Sequence, residues 1–344
     1  MPTIKDIARE AGVSVTTISN VIHGKSRRVA PETVDRINAI IRQHNYTPNL
    51  SARALVNKSS RIIGVINHLI QFQPISFFQD PFHGALLGGI EKKLRERGYY
   101  MMVRTVANEE ELYSLFNNWN LDGVILTGLF RDRFFSRLLE ARKPVVLLDS
   151  YIKNNQIFNV GLDDRKGGFM ATQYLIDHGH RNIVFASPPV HRHGVVEERL
   201  SGYKAALKKN GIPFSPKNVY QQEMTLDEGI ALGRVLSKRK DLSAVFATAD
   251  ILAAGIMSGL TQSGKNIPDD VSIIGFDDIY YSQIFSPALT TVHQDAEKKG
   301  SVAAQIMMDV LEGSEIITRN IILPVNIVER NSVKKIKVSK SRSA

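Results

Sequence analysis

Few residues in this chain are of a type and spacing that could do chemistry. They are the adjacent acids Asp163-Asp164, Asp269-Asp270 and Asp277-Asp278, Arg199 behind two glutamates, and the run His191-Arg192-His193. Paired carboxylates can share a proton or a metal ion. Neighbours on a strand point to opposite faces, however, so adjacent acids rarely converge. The first two pairs read as loop acids that cap the next helix. The histidines have no helical partner and no acid cluster nearby, which argues against a metal site. No nucleophile elbow, phosphate-binding glycine loop or zinc motif is present. The chemistry on offer is recognition rather than turnover, so neither an enzyme nor a cofactor is expected. The segment best equipped to recognise something is Ser14-Val15-Thr16-Thr17-Ile18-Ser19-Asn20, a short run of hydroxyl and amide groups.

That run must be positioned by its neighbours. Ile4, Ile7, Ala8 and Ala11 recur at helical spacing. Thr3 with Asp6 three residues on is a capping-box pattern. Gly12 suits a left-handed helix end, and Ser14 can cap a second helix whose inner face is Ile18, Val21 and Ile22. Val15, Thr16, Ser19 and Asn20 then face outward. Pro31 suits the first turn of a third helix, with Val34, Ile37 and Ile41 inward. Two short helices around a glycine turn form a helix-turn-helix, whose second helix enters the major groove of DNA.

The charge distribution agrees. The 344 residues carry a net charge of +10. Residues 1–60 hold nine basic and four acidic side chains, residues 331–344 hold five basic and none acidic, and the stretch between is neutral. A basic head is the footprint of phosphate binding. The basic tail reads as a disordered, solubilising end that could add nonspecific DNA affinity. There is no cysteine, which permits a reducing compartment. Lys5, Asp6, Arg9 and Glu10 interrupt any signal-peptide core. The most apolar window, Ala244 to Leu260, contains Asp250 and reads as strand plus helix rather than a membrane span. A cytoplasmic protein without membrane contact is expected.

From Arg61 onward, short apolar runs alternate with amphipathic stretches. The runs are 62–66, 100–103, 123–126, 145–148, 183–186, 244–247 and 271–275. Helical windows fall at 84–97, 167–178, 197–209, 226–237 and 252–262, with a late helix at 296–311 and strands near 320–323 and 325–328. This is the α/β pattern of parallel sheets covered by helices on both faces. It falls into two doubly wound lobes, with a ligand expected between them at the carboxyl ends of the strands. Between head and lobes, Asn49 can cap a helix at 50–56, too short to be stable alone and suited to a hinge. Trp119, near a helix end, is expected in the core.

In combination, TIKDIAREAGVS, YTPNLSARAL, FQDPFHGALLGGIE, LDGVILTG, PVVLLD, GHRNIVF, ERLSGYKAAL, VSIIGFDD and LTTVHQD resemble the lactose-repressor-like (LacI) family of bacterial transcription regulators, over residues 2–332. The resemblance implies a helix-turn-helix head at 1–48, a hinge helix at 49–60 and a periplasmic-binding-protein-like core at 61–332. The N-lobe would comprise 61–160 and 293–320, the C-lobe 161–292 and 321–332, and 333–344 would be a disordered tail. It further implies a homodimer on a pseudo-palindromic operator. Val15, Thr16 and Asn20 would face bases, while Thr3, Ser14, Thr17 and Ser19 would help position the backbone. The hinge residues Asn49, Ser51 and Ala52 would lie in the minor groove, with Leu55 as a wedge at the central step. Asn20 stands where many members carry arginine or histidine, and Asn prefers adenine in bidentate readout.

For the effector site the resemblance implies Phe78, Phe82, Asp149, Arg199, Asp277 and Gln294, with Arg199 and Asp277 on opposite sides of the ligand's polar rim. Ala249 departs from the asparagine usual in sugar-binding members and offers no side-chain hydrogen bond. The effector, expected to be a sugar or sugar derivative, is then less hydroxylated, or anchored by another residue, or replaced by a protein corepressor. The implied function is a repressor of a carbohydrate or related catabolic operon. The rivals are a solute-binding protein with similar lobes and a sugar-metabolising enzyme with an appended head. The first predicts a signal peptide and no basic head, the second a catalytic dyad or phosphate loop.

Overall fold

A computed structural model describes residues 2–22, 24–46, 59–68, 77–128, 135–136, 138, 143–152, 154, 157–316 and 318–336. The chain divides into a unit of residues 1–60 and a unit of residues 61–344. The hinge positions Asn49, Ser51, Ala52 and Leu55 lie outside the described residues.

The head has three helices, α1 (Ile4–Ala11), α2 (Val15–Ile22) and α3 (Pro31–Gln43). The capping box at the start of α1 is formed in both directions: the Asp6 amide donates to the Thr3 hydroxyl, and the Thr3 amide to the Asp6 carboxylate at 2.9 Å. Gly12 closes α1 at φ +65°, a conformation that L side chains rarely adopt. Ser14 accepts from the Thr17 amide at 3.1 Å and so starts α2. Ile7, Ala8, Ala11, Ile18, Val21, Ile37 and Ile40 form the buried centre.

The body's first lobe runs β1 (Ile62–Asn67), α4 (Pro81–Glu96), β2 (Tyr100–Thr105), α5 (Glu109–Asn118), β3 (Gly123–Thr127), β4 (Val145–Leu148) and β5 (Phe158–Leu162). The second runs α6 (Asp164–Asp177), β6 (Ile183–Ser187), α7 (Val195–Lys209), β7 (Val219–Gln221), α8 (Leu226–Leu236), β8 (Ala244–Ala247), α9 (Asp250–Gln262), β9 (Ser272–Asp277) and β10 (Thr290–His293). The chain then returns through α10 (Ala296–Leu311), β11 (Asn320–Leu323) and β12 (Asn326–Val328). The N-lobe sheet is ordered β11-β5-β4-β3-β1-β2 and the C-lobe sheet β12-β10-β9-β8-β6-β7. All described pairings are parallel except β10 with β12. Three crossovers join the lobes, after β5, β10 and β11. The expected α/β architecture is observed, with the lobe exchange a few residues later than read from sequence, because β5 and β11 complete the N-lobe sheet.

Two further expectations are corrected. Trp119 is 51% exposed rather than in the core, since α5 ends at Asn118 and its inward positions are Leu112 and Leu115. Residues 333–336 are not a loose tail. The Lys334 amide donates to the Ser272 hydroxyl at 3.1 Å and the Ile336 amide to the His178 carbonyl at 2.9 Å, and Val333 packs on the core. Among the described residues, no helix is long and apolar enough to cross a membrane.

Candidate functional site

On the head, Val15 and Thr16 open α2 and are exposed, and Ser19 and Asn20 follow one turn later, partly covered. Positions one turn apart share a helix face, opposite buried Ile18 and Val21. Ser14 and Thr17 are engaged with each other at 2.9 Å between hydroxyls. Lys25, Arg27 and Arg28 are exposed just beyond α2. The surface thus offers one polar helix face flanked by cations.

In the body, a cavity of about 420 Å³ lies between the lobes at the carboxyl ends of the strands. Phe82, Asp149, Arg199, Ala249, Asp277 and Gln294 all line it. Phe78 does not; it is 67% exposed on the turn before α4.

Arg199 projects from the first turns of α7. That helix lies so close to α6 that a Cβ at Gly168 would strike the Arg199 backbone, and one at Gly202 the Arg165 carbonyl. The guanidinium donates to Asp164 at 2.8 Å and to the Thr248 carbonyl at 2.6 Å, and it stacks 3.6 Å above the Phe276 ring. Asp277 is 3.9 Å from the same guanidinium. Arg199 and Asp277 are therefore one pair on one wall, not opposed across the cavity, because α7 and β9 belong to the same lobe. Burial works against the Arg199 charge, but Asp164 and Asp277 outweigh it and hold its pKa above the ordinary value.

Asp149, Asp277 and Asp80 are also held. The Lys299 ammonium, fully buried, donates to both Asp149 oxygens at 2.7 and 2.8 Å and to the Gln294 carbonyl oxygen at 2.7 Å. Gln294 in turn donates to Asp277. Asp80 caps α4 through the Phe82 amide at 3.1 Å and binds the His83 ring. Burial pushes Asp277 well above the usual carboxylate range, with Arg199 opposing. Asp149 and Asp277 sit at φ +53° and +111°, backbone strain of the kind that clusters at binding sites.

Sequence reasoning missed several of these residues. Asp164, read as a loop acid, is fully buried on Arg199 and accepts from Tyr151 of the other lobe at 2.8 Å. Asp163 does cap α6. Nothing in the spacing separates the two; only the position of α7 does. Lys299, on a charged helical turn, carries no signal in the sequence that sets it apart; its burial comes from the packing of the first turns of α10 beside Asp149 and Gln294. Among the described residues no cluster could hold a metal ion.

A helix-turn-helix on one unit and a bilobed ligand cleft on the other define a class: DNA-binding regulators with a solute-binding core. Residues 3–49 match the lacI family of bacterial regulatory proteins, and residues 172–333 match the periplasmic binding protein-like domain. Catabolite control protein A of Priestia megaterium is 32% identical over 338 residues, 96% of this chain and 99% of that protein. The HTH-type transcriptional repressor PurR of Vibrio campbellii is 30% identical over 343 residues, 98% of this chain and all of that protein. A CelR–cellobiose complex superposes with a TM-score of 0.72 at 29% identity, covering 96% of this chain and all of that one. The lac repressor dimer on its operator shares the fold, with a TM-score of 0.82 at 23% identity over 97% of this chain and 99% of that one. The chain belongs to the LacI family of transcriptional regulators.

Proposed function

We propose that this regulator is a repressor that binds a pseudo-palindromic operator as a homodimer and changes its operator affinity when a small molecule, a sugar or sugar derivative, closes its cleft. The observation that carries this reading is the cleft itself: charged side chains of both lobes converge on a cavity in a chain that also bears a polar, outward-facing recognition helix flanked by cations. Val15, Thr16 and Asn20 are assigned to base edges, and Thr3, Ser14, Thr17 and Ser19 to the backbone. Asn49, Ser51, Ala52 and Leu55 are assigned to the minor groove. Phe82 supplies an apolar face for the ligand, Arg199, Asp277, Asp149 and Gln294 its polar rim, and Ala249 a wall without a hydrogen bond. The cleft binds and releases rather than reacts, and the protein acts in the cytoplasm. A solute-binding role fits the lobes but leaves the head without purpose.

Footprinting on flanking and genomic DNA with a salt titration tests this. Expected is a symmetric protected site whose affinity falls steeply with salt, as counterions are released from several phosphates. A titration stoichiometry of one chain per site, or no protected site, would refute it.

A further inference from the structure

We propose that the cleft selects a disaccharide-sized glycoside carrying a protonated amine, held at one end by Arg199 and Asp277 and at its amine end by Glu223. This rests on the assignment of the cleft as the effector site. Among the described lining residues, four are carboxylates (Asp80, Asp149, Glu223, Asp277) and one is a strong cation, Arg199. Arg199 is already engaged with Asp164 and the Thr248 carbonyl. Asp149 has Lys299 and Asp80 has His83. Glu223 is half-buried, and no described residue pairs with its carboxylate. A ligand that closes the cleft over Glu223 removes water from it, and a buried carboxylate without a counter-charge is costly. An ammonium group meets that need, a neutral hydroxyl meets it in part, and a phosphate or carboxylate makes it worse.

The strand order sets the ligand's length. Asp277 ends β9 and Glu223 follows β7, and β8 and β6 lie between them. Three strand spacings put the two residues about 14 Å apart along the cleft, too far for one sugar ring and within reach of two rings plus the side chains. A second feature points to a polar ligand: the Thr248 hydroxyl, on a residue only 1% exposed that lines the cavity, has no hydrogen-bond partner among the described residues. Beside it Ala249 offers none, which leaves the anchoring polar contacts to the two ends. The walls between are apolar, with Pro188, Val195, Val196 and Met224 suited to a ring face.

The test is calorimetry on the full chain with the β-1,4-linked glucosamine dimer, cellobiose and cellobionic acid. The glucosamine dimer is expected to bind at least about tenfold tighter than cellobiose, the scale of one charged hydrogen bond, and cellobionic acid weakest. In Glu223→Gln the ratio of glucosamine dimer to cellobiose should fall to within about twofold. Equal or tighter binding of cellobionic acid, a preference that survives Glu223→Gln, or no binding of either of the other two disaccharides at millimolar concentration overturns the proposal. Arg199→Lys separates this failure from failure of the cleft assignment. If amine binding persists undiminished in Arg199→Lys, the ligand sits elsewhere and the cleft assignment falls. Operator release by some other small molecule leaves that assignment standing while the amine proposal falls.

Discussion

Removing the Arg199 side chain should unsettle the C-lobe before it touches any ligand. Asp164 is 1% exposed, and besides Arg199 its carboxylate accepts from the hydroxyl of Tyr151 at 2.8 Å. In Arg199→Met the apolar stack on Phe276 is largely kept, but a buried carboxylate loses its cation. The Thr248 carbonyl also loses a 2.6 Å hydrogen bond. Breaking one side of a buried pair costs about 3–5 kcal/mol, whereas replacing both partners by uncharged groups is near neutral. Asp164→Asn in the Arg199→Met background should therefore recover most of the loss, so the coupling in the double-mutant cycle is at least about 2–3 kcal/mol in magnitude. Urea unfolding of the full chain, followed by far-ultraviolet dichroism and by the emission of its single tryptophan, Trp119, reads all four corners. If the double variant is no more stable than Arg199→Met, the pair is not the source of the loss and the burial argument fails. Effector response should be lost in both variants, since the ligand contact is gone from each.

Gly168→Ala should destabilise by about 1–3 kcal/mol, the scale of overpacking, and shift the effector dose–response, because the added carbon strikes the backbone that carries Arg199; a melting temperature unchanged by this variant would contradict the close helix contact. Asp250, fully buried under the turn after β9, accepts from the Ile279 amide and the Ser282 and Thr291 hydroxyls. Burial nevertheless raises its pKa from 3.8 to about 7. A carboxyl whose folded pKa is raised binds its proton more tightly when folded, so its stabilising contribution is full below about pH 4 and is lost as pH rises to about 7. The stability difference between native protein and Asp250→Asn should fall over that window in pH-dependent urea melts, and a flat difference would oppose it. Leu55→Ala should weaken specific operator binding by a few kcal/mol, the scale of unstacking one base step, and leave random DNA nearly unaffected; equal losses in gel shifts on both DNAs would remove the wedge.

Local order was legible in the residues. Thr3, Gly12, Ser14 and Pro31 each impose a conformation through their own side chain or its lack, so the head could be read helix by helix. The alternation of apolar runs and helical windows carried the two lobes in the same way, because a parallel strand buried on both faces must be apolar throughout. Elements with weaker signals were overlooked: β5 interrupts its apolar run with Asn159 and Gly161, and β10 is a threonine pair whose strand character comes from pairing with β9. Of the cleft residues drawn from the sequence, Phe82, Asp149, Arg199, Ala249, Asp277 and Gln294 came together because strand ends converge whatever else varies. What only the tertiary structure decided is who holds whom. Asp163 and Asp164 are neighbours of one type, yet one caps a helix in water and the other is buried on Arg199. Lys299, Tyr151 and Glu223 gained their places from helices and loops packed from distant parts of the chain. Burial and charge pairing depend on those long-range neighbours, and no local spacing encodes them.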